Sequence, residues 1–113
     1  MERRVRASQH YFVDFIQSLD DVQLRKVFYV IEMLKTQERL SEKFVKHLED
    51  GIYELRAVSG SNIFRVLFIF DEGNIVLLLN GFSKKMRKTP RREIELAKRL
   101  RKECEYEKSK QHR

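Results

Sequence analysis

The sequence predicts a single α+β domain: a helical hairpin, then an antiparallel sheet of three or more strands, then a C-terminal helix. Three observations carry this. Apolar residues recur at helical spacing between His10 and Thr36. Three apolar runs between Ile52 and Phe82 are separated by glycine-containing turn clusters. Thr89-Pro90 then opens a last segment with its own narrow apolar stripe. At 113 residues the chain is long enough for one packed core and short for two. A 42% apolar content with eight Phe excludes a wholly disordered chain.

Each element follows from local pattern. From His10 to Leu19, the residues Phe12, Phe15, Ile16 and Leu19 step by three and four, one apolar face of a helix. Asp20 and Asp21 supply a stop and an N-cap for the next helix, whose stripe is Leu24, Val27, Phe28, Ile31 and Leu34. A third short helical piece is expected from Ser41 to Leu48, capped by Ser41, with Phe44, Val45 and Leu48 inward. After Asp50-Gly51 the period changes. Ile52 to Val58, Ile63 to Phe70 and Ile75 to Phe82 read as strands, joined by turns at Ser59-Gly60-Ser61-Asn62 and Asp71-Glu72-Gly73-Asn74. Their apolar residues on both faces imply cover on each face, by the helices. Thr89 is the expected N-cap of the last helix, with Pro90 at its first position. Ile94, Ala97, Leu100 and Cys104 form its stripe, and the chain is expected to fray from about Glu107. The whole, 1–113, is one domain.

Charge narrows the function. Residues 1–83 hold 11 basic and 12 acidic side chains, whereas 84–113 hold 13 and 5, so all of the +7 net charge belongs to the last quarter. That asymmetry suggests a polyanionic partner such as nucleic acid or the ribosome; the plainer reading is a solvated helix with a basic tail. One cysteine excludes an internal disulfide, and the charged start lacks an apolar signal core, so a reducing, cytoplasmic setting is expected. No apolar run reaches the roughly 18–20 residues of a membrane span. Three scattered histidines and one cysteine make a zinc site improbable, and no cofactor or metal is expected. Phosphate-loop and dinucleotide-binding glycine motifs are absent from the sequence.

Two arginines interrupt the strands. A turn centred on Gly60-Ser61 sets Arg56 opposite Arg65, and like charges side by side invite an anion between them. Pairing of one or both with a carboxylate such as Glu54 is the alternative. Beyond the third strand, Lys84, Lys85, Arg87 and Lys88 make a basic loop able to track a phosphate backbone, and Arg91 and Arg92 follow on the helix. Phe82 belongs to the core or stacks on a base. Cys104 reads as a small core residue, and His47 as a helix-surface group with an outside claim as acid or base.

Gly51-Ile52-Tyr53-Glu54-Leu55-Arg56, Ile63-Phe64-Arg65-Val66-Leu67-Phe68, Gly81-Phe82-Ser83-Lys84-Lys85 and Lys88-Thr89-Pro90 arrive in that order. This string resembles the phage-derived, HigB-like branch of the RelE/ParE toxin superfamily. The resemblance implies a RelE-like fold and a type II toxin that cuts messenger RNA on the ribosome. It also implies a cognate antitoxin, usually with a helix-turn-helix domain. Arg56, Arg65 and Lys84 or Lys85 map onto positions where nuclease members carry functional basic residues. Arg87, Lys88, Arg91 and Arg92 are then candidates for RNA binding. The acid and base stay open among Glu54, Tyr53 and His47, with Tyr106 and His112 disfavoured. Two other readings stand beside this one: a ParE-like, non-enzymatic gyrase inhibitor, and a nucleic-acid-binding module without activity.

Overall fold

Turn chemistry and strand alternation set the sheet. The computed structural model describes residues 2–84 and 88–111, the side chains of Lys84 and Gln111 excepted. Its elements are β1 (Arg4–Ala7), α1 (Tyr11–Gln17), α2 (Asp21–Thr36), β2 (Val45–Glu49), β3 (Ile52–Ser59), β4 (Asn62–Phe70), β5 (Ile75–Lys84) and α3 (Arg91–Gln111). Five strands lie in the order β1-β5-β4-β3-β2. The β3-β4-β5 meander and its turns fall where the sequence places them. Ser59 pairs with Asn62 across a two-residue loop.

Two strands lie outside the sequence reading. The helical piece expected from Ser41 to Leu48 is instead a single turn followed by β2. The reason is Asp50-Gly51. Both residues take positive φ (51° and 76°), as a tight primed hairpin turn requires, and this folds 45–49 back along β3. A bulge between His47 and Glu49 adjusts the register, and so short an apolar run fits either period. β1 is the other addition, a four-residue edge parallel to β5. Arg3 ties this segment to the end of α2, donating to the Leu34, Gln37 and Glu38 carbonyls at 2.7, 2.5 and 2.7 Å.

Each face of the sheet has its own core. On one, Phe12 and Phe15 of α1 and Val27, Val30, Ile31 and Leu34 of α2 bury against Leu55, Phe64, Val66, Phe68 and Leu78. On the other, Ala97 and Leu100 of α3 cover Ile52, Leu67, Leu77, Leu79 and Phe82. Cover on both faces explains why β4 and β5 read as nearly continuous apolar runs. Asp20 caps α2 as expected, in a reciprocal capping box with Gln23 (2.8 and 3.1 Å). α3 begins one residue later than expected. The Pro90 carbonyl accepts from Glu93 and Ile94, while the Thr89 hydroxyl is not a cap and donates instead to Glu54. Its far end also departs from the fraying expected at Glu107. The helix continues to Gln111, pinned where Lys108 grips both Asp71 oxygens at 2.6 and 2.7 Å. Among the described residues no helix is long and apolar enough to cross a membrane.

Candidate functional site

The register puts Arg56 opposite Arg65, as the turn arithmetic requires. The Arg56 N–H points away from β4, to the Phe44 carbonyl. Arg56 and Arg65 therefore form a non-hydrogen-bonded pair, the type whose side chains approach more closely. Glu54, two residues before Arg56, shares their face. Its Oε1 accepts from Arg56 Nε at 2.6 Å and stands 3.7 Å from Arg65 Nε, and its Oε2 accepts from the Thr89 hydroxyl. The anion that two apposed arginines call for is thus a carboxylate of the chain itself.

Burial divides the labour. Glu54 and Arg65 are 0% and 1% exposed, whereas a quarter of the Arg56 side chain faces solvent. Burial pushes the Arg65 guanidinium below its ordinary pKa, Glu54 works to raise it, and Arg56 lowers it again. Guanidinium stays protonated nonetheless, so the cluster carries one net positive charge and presents it through Arg56.

Arg56 opens onto a cleft of about 320 Å³ between β2 and the start of α3, where Lys46, Lys88, Thr89, Arg91 and Ile94 also stand. Lys46 is registered opposite Glu54. At the cleft's edge Glu49 accepts from both terminal guanidinium nitrogens of Arg91, and from Lys98 at 2.5 Å. The Arg91 hydrogen bond first, and Lys98 second, hold the Glu49 carboxyl down at about 2 from its ordinary 4.5. A depressed carboxyl contributes stability above its unfolded pKa and loses it as pH falls through the folded value. Unfolding midpoints in urea should therefore fall between pH 4.5 and about 2, and Glu49→Gln should flatten that part of the profile. A wild-type slope unchanged by the substitution would refute the tether.

The structure brings some sequence candidates together and separates others. Arg56, Arg65, Lys88 and Arg91 meet at or beneath the cleft. Arg91 is largely engaged, by Glu49 and by Glu95 at 2.8 Å. Arg92 is exposed, with Glu93 at 3.8 Å. The Lys84 backbone ends β5 opposite Ile63, next but one to the Arg65–Phe82 pair. Lys85, Arg87 and His112 lie outside the described residues. His47 and Tyr53 are registered to each other, and alternation puts both side chains on the opposite face from Glu54, although His47 also lines the rim of the cleft. His47 Nε2 accepts from the Gly51 N–H at 3.2 Å, and Tyr53 stacks on Phe68. Tyr106 is exposed on α3. Phe82 is core, and Cys104 is half-buried with its thiol pKa pushed up by burial, the opposite of a nucleophile's need. Lys46 and the hydroxyl of Thr89 were missed as site residues. The Asp50-Gly51 hairpin signal would have found Lys46.

Much of the basic C-terminal quarter is spent on packing. Lys98 reaches Glu49 and Asp50, Arg99 donates to the Tyr11 hydroxyl at 2.9 Å, and Arg101 donates to the Asp50 carbonyl. These cations fasten α3 to the β2-β3 hairpin and to α1. Among the described residues no three His, Cys, Asp or Glu side chains are grouped to hold a metal.

Comparison with known proteins agrees with this architecture. No curated protein matches the sequence. A chain in the crystal structure of the archaeal RelE-RelB complex from Pyrococcus horikoshii OT3 aligns with a TM-score of 0.55 at 21% identity. The alignment covers 78% of this chain and 100% of that one. At such identity the likeness is one of fold. The family described as phage derived protein Gp49-like (DUF891) matches residues 14–102, from within α1 to the middle of α3, and the chain belongs to that family.

Proposed function

We propose that the chain is the toxin of a type II toxin–antitoxin pair, of HigB-like type, and that it acts in the cytoplasm as a ribosome-dependent messenger RNA endonuclease. The observation that carries this is Arg56, a half-buried arginine clamped by a buried carboxylate at the mouth of a cleft that also holds Lys46 and Lys88. Gp49-like membership and the RelE-RelB fold likeness support it, as does the order of basic motifs in the sequence.

The chemistry suits the residues. In RNA the 2′-hydroxyl attacks the adjacent phosphate, the 5′-oxygen leaves, and a 2′,3′-cyclic phosphate remains. The protein must hold the groups in line and stabilise the charge gathering on the phosphorane. Arg56 has the fork geometry for two phosphate oxygens. Glu54 and Arg65 act beneath it, fixing its orientation. Lys84 or Lys85 holds the scissile phosphate or protonates the leaving oxygen, and Lys88, Arg87 and Arg92, with Arg91 where Glu49 releases it, track the flanking backbone. This route calls for no cofactor. The partners are the ribosome, its message and a helix-turn-helix antitoxin.

Cell-free translation followed by primer extension tests the reading. Cuts should appear only when ribosomes are present. Arg56→Ala should reduce them about 10²-fold or more, the usual loss when a transition-state charge partner is removed. Unaffected translation with an intact message would overturn the nuclease, and gyrase supercoiling would be assayed next.

A further inference from the structure

A threonine at the start of a helix ordinarily uses its hydroxyl as an N-cap. The Thr89 hydroxyl points elsewhere. Thr89 stands in the wall of the cleft, 7% exposed, and donates across 35 residues of chain to Glu54 Oε2. The other oxygen of that carboxylate, Oε1, accepts from Arg56 Nε at 2.6 Å and faces Arg65 Nε at 3.7 Å. Glu54 is therefore held at both ends, by the helix start on one side and by the arginine pair on the other. A carboxylate turns readily about its last bond, and a hydrogen bond to one oxygen leaves that rotation open. With both oxygens engaged, turning breaks one bond or the other.

The fixed carboxylate fixes the arginine. Arg56 Nε lies in the plane of its own guanidinium, so the direction of its bond to Glu54 sets where the two terminal nitrogens point. Among the described residues neither terminal nitrogen has a hydrogen-bond partner, and together they are the fork that grips two oxygens of one phosphate. Thr89 also places the chain on either side of it. Lys88 stands exposed in the same cleft. Pro90, whose ring fixes φ, begins α3 by offering its carbonyl to Glu93 and Ile94 at 3.0 and 3.4 Å. α3 has other fastenings. Glu49 holds Arg91 and Lys98, Asn80 Nδ2 donates to the Glu93 carbonyl and Oε1 at 3.2 and 3.1 Å, and Ile94, Ala97 and Leu100 are buried. Losing the Thr89 hydroxyl leaves the helix docked and the carboxylate loose.

We propose that Thr89 is a positioning residue for phosphate at this cleft. By holding the far oxygen of Glu54 it aims the Arg56 fork, and by anchoring the chain next to Lys88 it sets that ammonium against the same phosphate. The inference deepens the nuclease reading, on which it rests for the identity of the phosphate as the scissile diester of a message. The aim itself rests on the geometry.

The test compares the full chain with Thr89→Val, which keeps the branched shape and removes the donor, and with Thr89→Ser, which keeps the donor. Circular dichroism sets a temperature at which all are folded, and Thr89→Ala replaces the valine variant should that one not fold. The first readout is the magnetic-resonance signal of the Arg56 Nε–H, identified by its loss in Arg56→Lys and titrated with inorganic phosphate in the absence of ribosomes. Phosphate should move the signal in the wild type. In Thr89→Val the signal should start from a different position, and phosphate should bind about tenfold more weakly, as a misdirected charged hydrogen bond requires. Thr89→Ser should restore both. The second readout is message cleavage on ribosomes. Thr89→Val should lose about 10–10²-fold in kcat with KM little changed, the pattern of a misaimed group, and Thr89→Ser should recover most of it. A Thr89→Val protein that melts earlier yet keeps the wild-type Arg56 signal, phosphate affinity and kcat would overturn the proposal, because the hydroxyl would then only satisfy a buried carboxylate. So would a Thr89→Ser protein that behaves as Thr89→Val does. An intact message with the wild type refutes the nuclease alone, and the phosphate titration then decides the positioning by itself.

Discussion

Replacing Glu54 by Ala should cost about 3–5 kcal/mol, the penalty for stripping one partner from a buried ion pair. For a domain of this size that is a fall of roughly 12–20 °C in Tm, a large part of the 5–15 kcal/mol that typically holds a domain folded. The carboxylate accepts hydrogen bonds from Arg56 on β3 and from Thr89 just before α3, and forms an ion pair with Arg65 on the adjacent strand at 3.7 Å. Its removal leaves Arg65 charged and 1% exposed beside a second guanidinium. Glu54→Gln should be milder, because the amide oxygen can still accept from Arg56 while its NH2 donates to the Thr89 hydroxyl, which rotates to accept. A double variant, Glu54→Leu with Arg65→Met, should be more stable than Glu54→Ala, since both members of the buried ion pair are then replaced by apolar side chains of similar volume. Thermal unfolding followed by circular dichroism measures all three. A Glu54→Ala protein that melts with the wild type would show that the carboxylate does not bridge the pair.

The same cluster marks how far the sequence could be read. The Arg56–Arg65 apposition was legible because a two-residue turn at Gly60-Ser61 leaves only one register for the strands beside it. Once that register is known, Glu54 is a near neighbour by alternation. The Thr89 contact was not legible, because it joins residues 35 apart and depends on how α3 approaches the sheet. Local capping chemistry made Thr89 look like an N-cap, and the tertiary contact took its hydroxyl instead. β2 was lost for a related reason. Phe44, Val45 and Leu48 fit a helical face, and only the positive φ values at Asp50-Gly51 decide for a hairpin. β1 is four residues long, with two arginines around a single Val and no periodicity to detect, and is held by Arg3 just before it on carbonyls at the end of α2. The charge asymmetry is real as composition, but three of its cations, Lys98, Arg101 and Lys108, are tied to β2-β3 and to the β4-β5 turn, which only the tertiary structure shows.

Gly81→Ala should destabilise the protein by about 3 kcal/mol, the upper part of the usual range for overpacking a core. Gly81 is opposite Val66 on β5, and α1 lies directly across it. A Cβ built on Gly81 would stand 2.2, 2.6 and 2.7 Å from Phe15 Cδ2, Cγ and Cε2. These are ring atoms of a residue only 8% exposed, including Cγ at the ring's root, so turning the ring about its own axis cannot clear the methyl. Relief requires swinging Phe15 toward the cleft of about 520 Å³ that it and Gly81 both line, or shifting α1, a helix of only seven residues, off the sheet. Phe15→Ala alone should cost a further 3–5 kcal/mol by leaving a cavity. In the double variant the new methyl enters that cavity, so the combined cost should fall well short of the sum, a coupling that urea unfolding resolves. Simple additivity would place the Phe15 ring elsewhere. Because β5 ends at Lys84, three residues after Gly81, the single variant should also disturb the start of the basic loop. Under the proposed nuclease reading, message cleavage by this variant should drop at temperatures where the protein is still folded.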